Sequence, residues 1–215
     1  TQSYSHSPTG AAHGHIVGQS LVAAPSLSAY VQDGPAQRAR LGTIFGEEGL
    51  FEAQMARIFS ALSGGLPAAP APGPAGEPCS AASVRILPAG AEIALHVGNE
   101  FNTLAQAAHF RSLMDLSDQL SWFCTLSTPE RGGELVVYGL EWGDVAHLVP
   151  PLEGGGAHFW PEGSAVYQAV TAMEPTAFRP GPGDLLIFDG GATTAGLRIA
   201  VATSTRGYSM AFAAT

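Results

Sequence analysis

His96 is the residue whose position most suggests chemistry. It sits at the end of a run in which Ile93, Leu95 and Val97 alternate with other residues as in a strand, and Gly98, Asn99 and Glu100 follow it directly. A lone imidazole at a strand end is more often a hydrogen-bonded structural group than a metal ligand, so its neighbours must decide. The other histidines are less pointed. His6, His13 and His15 lie in a polar, Gly/Ser-rich stretch, residues 1–20; a His-Gly-His there is able to bind a metal, but in a surface arm it is read as solvated. His147 and His158 fall in an irregular Gly-rich stretch, 142–163, suited to a loop over the mouth of a site. His109 lies among apolar residues at helical spacing and is read as structural. Cys79 and Cys124 form no metal motif. Cys124 lies inside an apolar strand run and is read as a reduced core thiol, which points to a cytoplasmic protein.

The elements that must hold these residues come from one domain with a substantial core and a helical preamble, as 215 residues allow. The net charge is −9 and the nine Lys and Arg do not cluster, so no nucleic-acid partner is expected. No apolar run approaches the roughly 18 residues of a membrane helix, and the first residues carry no signal pattern, so no membrane partner is expected either.

Residues 47–63 form an amphipathic pattern: Leu50, Phe51, Met55, Ile58, Phe59 and Leu62 recur at spacings of three and four, with acids opening the first turn and Gly64-Gly65 closing it. The Pro/Ala/Gly run 67–78 reads as an extended surface linker. Residues 1–78 are therefore taken as arm, helices and connector packing on a core of 79–215. In that core, 83–87 and 91–97 read as strands paired across Pro88-Ala89-Gly90. Residues 101–116 are mostly helical. Residues 120–126 and 134–138 read as a hairpin with a five-residue loop, 129–133. Residues 165–170 are ambiguous. The run 185–188 is a buried strand after the turn Gly181-Pro182-Gly183-Asp184, and 198–203 and 206–213 form a last hairpin. Seven or eight short strands after a helical start indicate a mainly β sandwich or jelly roll. Trp122 and Phe123 are read as core, with one of the two facing inward toward the site.

Three pieces, in this order and at about this spacing, carry a resemblance. They are SVRILPAGAEIALHVGNE, LSWFCTLSTPERGGELVVY, and FRPGPGDLLIFDGG followed by the segment with Arg206. Together they resemble the double-stranded β-helix of iron(II)/2-oxoglutarate-dependent oxygenases of the prolyl-hydroxylase-like group, over roughly residues 83–212. The resemblance implies a cytoplasmic oxidoreductase that binds iron(II) and 2-oxoglutarate and acts on a C–H bond of a small molecule. It implies His96 as the first iron ligand. Gly98 stands where the family places a carboxylate, and this His-x-Gly resembles the family's halogenases, in which chloride fills the opened position. Glu100 is a substitute ligand only if the strand end bends, and Asn99 lies beside it. Arg206 fits the basic residue that grips the distal carboxylate of 2-oxoglutarate through two parallel hydrogen bonds. Arg85 is either a second anion contact or a surface residue.

The second imidazole normally stands some nine residues before the basic residue, and that position is Leu197. Three explanations stand open. The ligand comes from elsewhere, with His158 or His147 as candidates; the site has lost its metal; or this chain departs from its relatives here. Hydroxylation is the broader expectation, and halogen transfer follows if chloride occupies the space at Gly98. A non-catalytic jelly-roll relative that binds a small acid or a partner is the alternative, and a cupin-like enzyme using iron without 2-oxoglutarate is a third.

Overall fold

The computed structural model describes residues 2–3, 15–21, 24–87, 92–96, 104–116, 120–140, 144, 146–148, 163–189, 198–204 and 207–209. Helices lead. Ser26 caps α1 (Leu27–Gln32), its Oγ accepting from the Ala29 N–H at 3.1 Å. α2 (Gly34–Phe45) carries Pro35 in its first turn and stops at Gly46. α3 is Leu50–Leu62, later than the sequence predicts. Gly46 and Gly49 take φ of 98° and 79°, a left-handed backbone that breaks the helix, so Glu47 and Glu48 fall in the turn. Glu52 is the acid in the first turn of α3, and it ties α3 to α2 through Arg38 at 3.0 Å. Among the described residues no helix is long and apolar enough to cross a membrane.

The strands are β1 (Gln2–Ser3), β2 (His15–Val17), β3 (Val84–Leu87), β4 (Glu92–His96), β5 (Leu120–Cys124), β6 (Gly132–Gly139), β7 (Thr176–Phe178), β8 (Leu185–Asp189), β9 (Arg198–Ser204) and β10 (Gly207–Ser209). A short 3-10 turn, Ala105–Ala107, leads into α4 (Ala108–Leu113). α5 (Ala165–Thr171) settles the ambiguous segment as a helix capped by Ser164, whose Oγ accepts from the Tyr167 N–H at 3.2 Å.

From β3 onward the antiparallel pairs are nested: β3 with β10, β4 with β9, β5 with β8, and β6 with β7. β9 also lies along β6, giving sheet orders β1-β2-β3-β10, β4-β9-β6-β7 and β5-β8. All three expected hairpins are therefore corrected. β3 is not paired with β4, β5 is not paired with β6, and β9 and β10 lie in different sheets. Each of these connections leads from one sheet to another. The turn residues at 88–90 and 129–133 permit either a hairpin or such a crossing, and the apolar residues on both faces of a strand require cover on both sides. Among the described residues the sheets do not close into a barrel.

β5 shows the two-sided cover. Trp122, 3% exposed, packs with Leu41, Phe51 and Met55 of the helices and with Val84. Phe123, on the other face, packs with Leu186 and Phe188 against Leu135 and Val137 of β6. The order through β5 is helices, then β5 with its partner β8, then the sheet of β4, β9, β6 and β7.

The N-terminal arm and the connector are also more structured than the sequence predicts. β2 runs along β3 with Ile16 buried. Gln37 of α2, fully buried, fastens it by donating to the carbonyls of Val17 at 3.1 Å and Ala82 at 2.8 Å. Gly18 takes φ 97° directly against that side chain, and a Cβ there would collide with it. In the connector, Ala71 and Cys79 are buried with Tyr30, Leu104 and Phe110. Cys79 N–H donates to Ala71 O at 2.9 Å, and His109 Nε2–H donates to Pro72 O at 2.9 Å. His109 is thus structural, as its segment suggested.

Candidate active site

β4 delivers His96 by an irregular route. Ile93 pairs with Ala202 of β9 and His96 with Ala200, so three steps along β4 match two along β9. This bulge puts His96 on the face that a regular strand would have denied it relative to Ile93. β9 continues the row: Ala200 pairs with Val137 of β6, and Val137 with Thr176 of β7. Directly paired residues share a face. His96 therefore lies on the face through which Val137 packs on Phe123, Leu186 and Phe188, the interior between the two layers. It is half-buried there. An imidazole so placed is shielded by apolar side chains yet retains access, which suits a ligand better than a surface histidine.

β9 enters the sheet at Arg198, just beyond the row of His96 and on the side toward which β4 leaves it. The last residue of β4 and the first residues of β9 are therefore neighbours. Gly98, Asn99, Glu100, His158, Leu197 and Arg206 lie outside the described residues. His147 is exposed on a single 3-10 turn, Ala146–Leu148, and His15 is exposed on β2. Arg85 is half-buried on β3, and its strand neighbours are β2 and β10 rather than the His96 strand that the sequence suggested.

Among the described residues no group of three His, Cys, Asp or Glu is gathered to hold a metal. The cysteines do not supply a thiolate. Burial, with help from Glu77, pushes the Cys79 thiol up to about 11, and burial followed by Asp184 raises that of Cys124. Both are free thiols. An iron centre with two imidazoles thus finds one of them here, His96, turned inward by a bulge. The described residues fit the proximal half of such a centre. What sequence reasoning missed is the company His96 keeps: Val137 and Thr176 come from distant strands, and a bulge leaves no mark in a period-two pattern.

A family model described as carrier-protein-independent halogenase WelO5 matches residues 2–214. No curated protein matches the chain.

Proposed function

The chain belongs to the carrier-protein-independent halogenases, and from that membership we propose that it transfers a halogen to an unactivated C–H bond of a free small molecule. The family is one of iron(II)/2-oxoglutarate-dependent enzymes that use chloride, so the protein is an enzyme of this kind rather than a non-catalytic relative. The observation that carries the halogen over hydroxylation is Gly98, two residues after His96, where a carboxylate ligand would otherwise stand.

His96 holds iron from the inner face of the β4 sheet, and Gly98 leaves room for the halide. Arg206 grips the distal carboxylate of 2-oxoglutarate. Asn99 and Glu100, three and four residues after His96 in the sequence, are the candidate hydrogen-bonding neighbours of the proximal ligand. Bound iron, with 2-oxoglutarate and oxygen, supplies the oxidising power that removes hydrogen from the substrate. Phe123, Val137, Leu186 and Phe188 exclude water from the space that His96 faces. The nested pairing of β3 to β10 supports reading the core, 79–215, as a jelly roll, with 1–78 as an extension sharing its apolar clusters.

The test is an anaerobic titration with iron(II) and 2-oxoglutarate, read by the weak visible band of the chelate. The band is expected to form and to shift when bromide replaces chloride, and the shift is expected to vanish in Gly98→Asp. No band with stoichiometric iron would remove the enzyme reading. A band that ignores halide in the unmodified protein would leave hydroxylation in its place. Leu197→His addresses the second imidazole. It is expected to raise iron affinity by more than about tenfold, the scale on which even outer partners of a metal act. Unchanged affinity would mean that Leu197 is not the equivalent position or that another residue already completes the sphere.

A further inference from the structure

α3 carries more apolar surface than its packing uses. Phe51 and Met55 are buried, and Phe59 meets Trp122 edge-on at 5.2 Å. These three recur every four residues and form the stripe that seats the helix on β5. Leu50, Gln54, Ile58 and Ala61 form a second stripe, turned roughly 100° from the first and exposed along its length. Leu62, 66% exposed, extends it at the last residue of the helix. Ile44 is exposed as well, in the last turn of α2 beside the turn that leads into α3. Exposed leucines scattered singly need no explanation, but five of the nine exposed large apolar residues among the described ones fall within 44–66. Gathered in this way, they mark a contact surface.

The charges around this face decide what covers it. Glu47 and Glu48 stand exposed in the turn before Leu50, and Arg57 stands exposed next to Ile58. Arg38, Arg40 and Arg179 bind Glu52, Asp33 and Glu134 at 3.0, 3.1 and 3.8 Å, contacts that fasten one part of the chain to another. Arg57, Glu47 and Glu48 engage no such partner among the described residues. The face is thus acidic at one end, basic toward the other and apolar between. A surface of that kind is complementary to itself when turned end for end, the condition for a two-fold contact between identical chains. Leu50 and Ile58 are about 12 Å apart along the helix. A two-fold axis over Gln54 sets Leu50 of each copy against Ile58 of the other. The same axis carries each Arg57 toward Glu48 of the other copy, and each Leu62 toward the other α2–α3 turn, where Ile44 is exposed.

We propose that the chain associates with a second copy of itself through the exposed stripe of α3, the two helices antiparallel about a two-fold axis at Gln54. One helix and one turn from each copy cover less than the roughly 1,200–2,000 Å² of a standard interface, so the association is weak and falls on the micromolar scale. Sedimentation velocity of the full chain from about 1 to 200 µM is expected to show monomer giving way to dimer. Leu62→Glu changes an exposed helix end, leaves the packing on Trp122 intact, and is expected to weaken the dimer by more than about tenfold. Arg57→Glu sets acid against acid at both ends of the contact and is expected to weaken it by about tenfold, since each change acts twice. Combining Arg57→Glu with Glu47→Arg and Glu48→Arg reverses the pattern and should restore the unmodified affinity within about threefold. This charge-reversed chain carries the test if Leu62→Glu does not fold. A chain that stays monomeric throughout that range overturns the inference. So does a dimer that ignores Leu62→Glu or Arg57→Glu, or one that Arg57→Glu weakens without recovery in the charge-reversed chain.

Discussion

Replacing His96 with alanine is expected to abolish the iron/2-oxoglutarate band and to lower halogenation by more than about a hundredfold, beyond what the loss of an outer metal partner costs. The fold should survive. His96 is half-buried at the last residue of β4, so truncation removes a hydrogen-bonding ring at a strand end and costs about 1 kcal/mol. Val137, Phe123 and Leu186, which close the space it faces, keep their packing with one another. The measurements are iron stoichiometry, the visible band and far-UV circular dichroism on one preparation. Full iron binding with more than half the activity would place the metal elsewhere and leave His96 as a strand-end hydrogen bond.

Trp122→Ala carries the largest expected effect on stability. Trp122 is 3% exposed and joins three things: Phe51 at 6.4 Å and Phe59 at 5.2 Å on α3, Leu41 on α2, and Val84 on β3. Removing it deletes the apolar mass between helices and strands and leaves a cavity, at about 3–5 kcal/mol. That is a large part of the roughly 5–15 kcal/mol holding a typical domain together. The expected fall in Tm is roughly 6–20 °C for a chain of this size. The check is urea unfolding followed by fluorescence and circular dichroism. A loss below about 1 kcal/mol would mean that α3 is not seated on β5.

The sequence reveals elements better than their partners. The strands at 84–87, 120–124 and 185–189 were legible because runs such as Leu185-Leu186-Ile187-Phe188 bury both faces. Their pairing was not, because a Gly/Pro turn reverses the chain equally well within a sheet or between sheets. β2 is illegible for a different reason: His15-Ile16-Val17 is too short for any period, and its pairing with β3 and its bond from Gln37 both come from far along the chain. At the site, His96 was visible through its motif. Its inward face was not, since the bulge between Ile93 and His96 arises from the register with β9 and from nothing local. Arg85 was legible as a charge in a strand, and its face became definite only when Val84 and Ile86 were placed beneath the helices.

β3 sits between β2, made before it, and β10, made about 120 residues later. At roughly 5–20 residues per second, one side of β3 waits on the order of ten seconds on the ribosome for its partner. For that interval Arg85 belongs to an open edge, and edges bearing a charge resist pairing with other chains.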